Sequence, residues 1–307
     1  MTWLLFALAG AFFWALVHHI DKLLLTRFSV NYGVGSIVIV SSLFPLVVLP
    51  FLLVFASSSP FSVPLEIIIT LVAAGLLGAI AALYYFHALE ADEATIVVSM
   101  YQLSPVFGYV LGLAFLDEQL ETIQIIGALV TILGVSILSF EFLEEKRIRI
   151  RGRTTALMAV AAFTYAFGDV VYKGATVGQL PYTTAMFWVF VGYIVFGIAA
   201  VLLMREYRAN FLSVIRNRSS AVLTLNALNE TFQTAGLMFT AYALLLAPVA
   251  LVLVIDSYQP VLVFAIGILL TLFAPHLARE KISRRHVLHK STAIAVAVLG
   301  TMLMQQP

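Results

Sequence analysis

Residues 65–89 read LEIIITLVAAGLLGAIAALYYFHAL, and this apolar stretch decides the fold class of the chain. Its only acidic or basic side chains, Glu66 and His87, lie near its two ends. A helix needs about 20 mostly apolar residues to cross the hydrocarbon core of a bilayer. The stretch also lacks the alternation of apolar and polar residues that is typical of a barrel strand. We therefore predict a membrane-spanning helix here.

Similar apolar stretches lie on both sides of this one. Ten spans are predicted in all, at residues 2–20, 32–55, 65–89, 94–116, 122–140, 154–172, 182–204, 220–246, 249–272 and 287–304. Helices satisfy their own backbone hydrogen bonds inside a membrane. We therefore expect an all-α integral membrane protein with ten transmembrane helices.

The composition excludes several other classes of protein. Of the 307 residues, 62% are hydrophobic and 11% are charged, and the chain has no cysteine. Soluble domains carry about 25% charged residues, so too few charges are present to cover a water-facing surface. A soluble enzyme, a disordered chain and a disulfide-stapled domain are excluded. The net charge of +1 gives no electrostatic reason to expect nucleic acid as a partner.

Basic residues predict the orientation of the chain in the membrane. All of the 17 lysines and arginines except Lys173 lie in or beside the loops that follow spans 1, 5, 7 and 9. Under the positive-inside rule these loops are cytoplasmic, which places both termini outside. Lys22 and Arg27 follow the first span, the reverse of the order in a signal peptide. We therefore expect the first span to be retained.

The two halves of the sequence resemble each other. Three correspondences carry this likeness: AFFWA at 11–15 with AFTYA at 162–166, Lys22 with Lys173, and YQLSPV at 101–106 with DSYQPV at 256–261. Each half has five spans, an odd number, so the second copy is inverted in the membrane. Inverted repeats recur in secondary transporters, with the site near the midplane between the repeats. We predict five-helix repeats at 1–141 and 154–307, joined by a basic cytoplasmic linker at 142–153.

Some of these residues resemble a known superfamily. Trp14-Ala15 with Lys22, and LSPV at 103–106 followed by LDEQL at 116–120, are similar to the drug/metabolite transporter superfamily. The chain looks like an EamA-type protein with ten spans over nearly its whole length. The second copy departs from the first, with seven more residues between its proline and its acidic turn at Glu280. The resemblance implies a prokaryotic inner-membrane carrier with a central cavity. Amino acids, nucleotide sugars, purines and other metabolites are substrates in that superfamily.

Span 8 contains the first candidate site. Ionisable groups within a membrane are costly and usually face protein or a water-filled cavity. Glu230 lies about 15 Å into the span at 1.5 Å per residue, near the midplane, and Asn226 and Gln233 share its helical stripe. We predict that these residues bind a substrate or an ion, with Glu230 carrying a proton or facing a cation. A structural hydrogen-bond cluster between helices would explain the same pattern.

The second candidate site combines two motifs that precede prolines. Asp256 and Tyr258 precede Pro260 in span 9, and Tyr101 and Gln102 occupy the corresponding part of span 4. A proline inside a helix removes a hydrogen bond and tends to kink it. Two kinked helices from opposite repeats would flank one cavity, which predicts a binding role for these side chains. Simple packing kinks are the alternative.

The ends of spans 1 and 6 supply the remaining candidates. Trp14 aligns with Tyr165, and we expect Trp14 to line the cavity. His18 aligns with Asp169, and the spacing of Asp169 from Lys173 would allow an ion pair. His18, Asp169 and Lys173 are therefore predicted as gates at opposite faces. The alternative is a lysine that reaches the interface beside an acid and has no function.

No sequence motif indicates catalysis, so no cofactor or metal is expected. The chain has no phosphate-binding G-x-x-x-x-G-K-[ST], no H-E-x-x-H and no G-x-S-x-G. The leading hypothesis is a secondary transporter that moves an amino acid, a metabolite or a drug-like solute by alternating access. Proton coupling and facilitated exchange both remain open. The alternatives are an intramembrane enzyme that acts on a lipid-linked substrate and a membrane scaffold without transport activity. The sequence leaves the substrate, direction and oligomeric state open.

Overall fold

The computed structural model describes most of the chain, and the described part is helical. The described residues are 2–28, 33–56, 59–91, 97, 100–144, 152–217, 220–273 and 284–306. No strand occurs within these ranges, in agreement with the predicted all-α class. The predicted linker at 142–153 lies largely outside them, and the second acidic turn at Glu280 lies wholly outside.

Thirteen α-helices follow one another within the described ranges. They are α1 Thr2–Phe28, α2 Val34–Leu43, α3 Pro45–Val54, α4 Leu65–Ala91, α5 Ser104–Leu116, α6 Thr122–Glu144, α7 Gly152–Thr176, α8 Tyr182–Leu203, α9 Arg205–Asn217, α10 Ser220–Leu244, α11 Val249–Asp256, α12 Gln259–Phe273 and α13 Arg284–Met304. Short 3₁₀ turns lie at Pro60–Ser62 and Tyr101–Leu103.

Six of the predicted spans meet the length and hydropathy of a transmembrane helix. These segments are Thr2–Asp21, Val34–Val54, Leu65–Ala91, Gly152–Thr176, Tyr182–Leu203 and Val249–Leu269. Shorter apolar helices cover Tyr101–Leu116, Thr122–Ser136 and Ile294–Met304. The chain is therefore a multi-pass membrane protein, and the full number of ten spans stays a prediction.

Three predicted spans are not continuous helices. Span 2 breaks at Phe44, before Pro45 begins α3. Span 4 passes through a 3₁₀ turn before α5 starts, and span 9 is interrupted between α11 and α12. Pro105 and Pro260 each occupy the second position of the new helix, where a missing backbone N–H costs nothing because the first turn has no intrahelical acceptor for it. In span 9 the break before Pro260 therefore separates two half-helices, a stronger effect than the kink that the sequence predicts.

An additional helix, α9, lies in the loop after span 7, where the sequence predicts only a basic segment. It packs against α2 and α8, and its Tyr207 hydroxyl lies 2.6 Å from Nε2 of His87 at the end of α4. Burial raises the pKa of the Tyr207 hydroxyl, and the carboxylates of Glu206 and Glu90 raise this pKa further. The hydroxyl therefore keeps its proton at neutral pH and forms a hydrogen bond with His87. Helix α9 thus fixes one end of α4.

Pairs of long helices form the bundle. The most extensive packing joins α1 to α10, α4 to α7, and α6 to α13. Glycine permits the closest of these approaches: a Cβ atom added to Gly127 would collide with the carbonyl oxygen of Gly300, and one added to Gly300 would collide with that of Gly127. Side chains such as Phe51, Phe55 and Phe115 are exposed on the outside of the bundle, as expected of a surface that faces lipid.

Candidate substrate-binding cavity

A cavity at the centre of the bundle is lined by both halves of the chain. Its empty volume, open solvent included, is about 900 Å³. The lining residues are Trp14, Val17, His18, Asp21, Gly78, Ala81, Ala82, Tyr85, Phe86, Tyr101, Gln102, Ser104, Tyr165, Tyr193, Gln233, Leu253, Asp256, Ser257, Gln259 and Pro260. Of the predicted site residues, the lining includes Trp14, His18, Tyr101, Gln102, Gln233 and Asp256.

Helix α1 supplies one polar wall of the cavity. Trp14, His18 and Asp21 are spaced four and three residues apart, so they share one helical face. His18 Nε2 lies 2.8 Å from Oε1 of Gln259, and its Nδ1 lies 3.1 Å from the hydroxyl of Tyr85. The neutral Nε2–H tautomer satisfies both contacts, with the Tyr85 hydroxyl donating to Nδ1. Because Gln259 belongs to the second half, His18 joins the two halves within the cavity wall, and its role as a gate stays a prediction.

Asp21 is a cavity residue that the sequence prediction missed. Its side chain is buried, and Oδ1 accepts a hydrogen bond of 2.9 Å from Nδ2 of Asn229 on α10. The sequence places Asp21 beside Lys22 at the end of the first predicted span, where an acid is expected to pair with a lysine at the membrane interface. The spacing of Asp21 from His18 was the available signal, since it puts both side chains on one face.

Asp256, at the end of α11, is the second carboxylate of the cavity. The Tyr165 hydroxyl donates to Oδ2 over 3.2 Å, and the Thr240 hydroxyl donates to Oδ1 over 3.4 Å. These partners come from α7 and α10, so three helices hold the carboxylate. The break after Asp256 places the next lining residues, Ser257 and Gln259, at the same level of the cavity wall.

Several buried polar atoms of the cavity wall have no hydrogen-bond partner among the described residues. These atoms are Nε1 of Trp14, Nε2 of Gln102 and Oγ of Ser104. The other amide atom of Gln102, Oε1, accepts from the Ser136 hydroxyl over 2.6 Å. Buried polar groups are rarely left unpaired, and a bound molecule or water would account for them here.

A smaller pocket adjoins the main cavity. Its empty volume is about 370 Å³, and Gly78, Tyr165 and Tyr193 line both spaces. Asp169 and Tyr172 lie in the smaller pocket. Asp169 Oδ2 and the Tyr172 hydroxyl are buried and have no hydrogen-bond partner within the described part of the chain. Asp169 and His18, which align in sequence, thus belong to different spaces.

Four predicted site residues lie outside the lining of both spaces: Glu230, Asn226, Tyr258 and Lys173. Glu230 is buried and accepts a hydrogen bond of 2.6 Å from the Ser41 hydroxyl of α2. Asn226, on the same helix, is half-buried. Tyr258 lies 2.5 Å from the Thr301 hydroxyl of α13. Within the predicted stripe of span 8, Gln233 lines the main cavity, whereas Glu230 contacts α2.

Lys173 pairs with Glu118, whereas the sequence suggests an ion pair with Asp169. Asp117 adopts a left-handed backbone conformation (φ 53°) at the end of α5, which turns the chain so that Glu118 faces α7 and α11. One carboxylate oxygen of Glu118 pairs with Lys173 Nζ. The other accepts from the backbone nitrogen of Val249 over 2.8 Å. Lys173 also donates to the carbonyl oxygen of Ala247 over 2.6 Å.

No metal centre is evident in the described ranges. They contain no group of three or more His, Asp or Glu side chains suited to hold a metal ion.

The comparisons with known proteins agree with this architecture. Residues 1–140 match the EamA-like transporter family. The chain is 29% identical over 112 residues to a Bacillus subtilis (strain 168) protein named "Uncharacterized transporter YxxF". That alignment covers 36% of this chain and 36% of the relative, so the chain spans about a third of the relative's length.

One solved crystal structure is similar over almost the full length. It covers 99% of this chain and 98% of its own, with a TM-score of 0.67 and 16% sequence identity. At this identity the likeness shows a shared fold alone. The sequence match and the apolar helices together confirm the resemblance to the drug/metabolite transporter superfamily: residues 1–140 are similar to the EamA-like transporter family.

Proposed function

We propose that the chain is a secondary transporter that moves a small metabolite across the cytoplasmic membrane by alternating access. The observation that carries this proposal is the central cavity, which is lined by residues from both halves. A rocking motion of one half against the other would directly change the shape of such a cavity and the side to which it opens. A site made by one half would not need that motion.

Helix packing supports the proposed pair of inverted five-helix repeats, residues 1–141 and 154–307. In such a pair of repeats, α1, α4 and α6 of the first half correspond to α7, α10 and α13 of the second. The packed pair α1–α10 then corresponds to the packed pair α7–α4. Helices α6 and α13 correspond to each other, and they also pack together. The helices that start one residue before Pro105 and Pro260 also correspond. An approximate two-fold axis in the membrane plane would produce these relations.

The two unequal pockets support alternating access. The register that aligns the two prolines also aligns Ala82 and Phe86 of the main cavity with Leu237 and Ala241 of the smaller pocket. Corresponding residues of the two halves thus line the larger space in one half and the smaller space in the other. This asymmetry fits a transporter in a state open to one side, and exchange of the two arrangements would open the other.

Buried acids favour proton coupling over simple exchange. Glu230 is 2% exposed, and its recorded partner is a hydroxyl of Ser41. An unpaired charge at such depth is costly, so binding a proton would neutralise it. Asn229, the adjacent residue, holds Asp21 in the cavity wall. Glu230 is thus next in sequence to a residue that contacts the cavity wall, and Asp256 is the second acid able to carry a proton.

Solute counterflow in proteoliposomes tests this function. Vesicles would be loaded with a mixture of amino acids, amines and nucleosides, and the uptake of isotope-labelled forms would be measured by mass spectrometry. We expect exchange of at least one solute, and its loss in Asp256→Asn. Glu66→Gln is the matched control, because Glu66 is exposed outside the cavity. A folded protein that exchanges no solute would favour the enzyme or scaffold alternative.

A further inference from the structure

The acid and base content of the cavity indicates which charge a ligand carries. Asp21 and Asp256 are both buried, and both line the cavity. None of the described lining residues is a lysine or an arginine. His18, the remaining nitrogen base, satisfies both of its ring nitrogens in a neutral tautomer. An anionic ligand would meet two acids without compensation, whereas a cation would relieve their cost of burial.

An aromatic wall runs between the two carboxylates. The rings of His18 and Tyr85 are 6.1 Å apart, those of Tyr85 and Tyr101 are 5.5 Å apart, and those of Tyr101 and Tyr165 are 6.4 Å apart. His18 shares a helical face with Asp21, and Tyr165 donates to Asp256. Ring faces attract cations, most strongly where water is excluded. The wall therefore provides cation-binding surface along the whole path between the two acids.

The smaller pocket repeats this chemistry. Asp169 lies there among Tyr165, Tyr172 and Tyr193, and its Oδ2 has no partner within the described residues. Tyr165 and Tyr193 also belong to the main cavity. A cation that leaves Asp256 would thus meet the same tyrosines and then a third carboxylate.

From this arrangement we infer that the substrate is an amphipathic organic cation: an amine that binds between Asp21 and Asp256, with its apolar part against the aromatic wall. This inference rests on the proposed transport function and names its substrate class. The apolar lining residues, such as Val17, Ala82 and Leu253, suit a hydrocarbon or aromatic portion.

Calorimetric titration of the purified full chain in detergent tests this substrate class. Phenethylamine is the cationic probe, and phenethyl alcohol and phenylacetate are its neutral and anionic counterparts on the same ring and linker. We expect phenethylamine to bind at least roughly tenfold more tightly than either counterpart, because only the cation pairs with the acids. Equal or tighter binding of the alcohol or of phenylacetate would overturn the inference.

Two isosteric variants locate the binding site. Asp21→Asn and Asp256→Asn should each weaken phenethylamine binding by at least roughly tenfold, with Glu66→Gln unchanged. If either variant fails to fold, the other variant and the ligand series on the wild-type protein still decide. Unchanged binding in a folded variant of either acid would contradict the inference.

Binding and exchange measurements together show whether the substrate class or the proposed transport function is wrong. If phenethylamine binds as expected but does not exchange across proteoliposomes, the substrate class holds and the transport function fails. If other solutes exchange and phenethylamine does not bind, the transport function holds and the cation inference fails.

Discussion

Glu118 and Lys173 form an ion pair that joins the two halves of the chain, and the same carboxylate accepts a hydrogen bond from the first backbone N–H of α11, at Val249. A carboxylate at a helix N-terminus is favoured by the helix dipole as well as by the hydrogen bond. Glu118 therefore ties α5 to α7 and α11 beside the smaller pocket. We expect this contact to stabilise the arrangement in which that pocket is narrow.

Removal of Glu118 should weaken the protein measurably. Glu118→Ala deletes one ion pair and one charge-assisted hydrogen bond, and we expect a loss of about 1–3 kcal/mol in the free energy of unfolding. Thermal unfolding of the purified protein would show this as a lower Tm. Glu121→Gln serves as the control, since Glu121 is an exposed acid close by in sequence. Equal Tm values for the wild type and Glu118→Ala would show that the pair contributes nothing.

The predicted orientation can be tested from the two ends of α7. The chain has no cysteine, so a single introduced thiol gives a clear signal. Gly152→Cys, at the start of α7, should resist an impermeant thiol reagent in intact cells because the basic side is cytoplasmic. Gln179→Cys, which lies just beyond the other end of α7 and is exposed, should react. The opposite labelling pattern would reverse the orientation.

Proton coupling can be separated from solute exchange at Glu230. In Glu230→Gln the amide oxygen can still accept from Ser41, but the side chain can no longer gain or lose a proton. We expect accumulation driven by a pH gradient to be lost, with counterflow per folded molecule close to the wild-type rate. Uptake driven by the gradient at the wild-type rate would exclude Glu230 as the coupling residue and make Asp256 the next acid to test.

Much of this fold could be predicted, because long apolar runs report burial in lipid directly. The sequence could not give the position of the helix breaks, since a proline marks the start of a half-helix without fixing where the preceding helix ends. Helix α9 is not predicted, because the basic residues after span 7 indicate a cytoplasmic loop. The signal for a helix is the spacing of these basic residues and of apolar side chains such as Phe211, which places them on different faces of a helix.

The positions of the candidate residues agree with the sequence where one helical face decides them, and differ from it where a neighbouring helix does. Asp256 and Gln233 line the cavity as predicted. Glu230 lies near them in the stripe of span 8, but Ser41 of α2 accounts for its position. The pairing of Lys173 with Glu118 depends on a turn at Asp117 and on packing between α5 and α7. Such contacts between distant segments cannot be predicted from local spacing.

A reversible crosslink beside the Glu118–Lys173 pair tests alternating access most directly. The side chain of Leu116 lies next to the position that a Cβ atom would occupy at Gly174, so Leu116→Cys with Gly174→Cys would join α5 to α7 in a chain that has no other cysteine. We predict that oxidation stops solute counterflow in proteoliposomes, that a reductant restores it, and that each single-cysteine variant is unaffected. Counterflow at the same rate in the fully crosslinked and the reduced protein would contradict a mechanism in which this side must open.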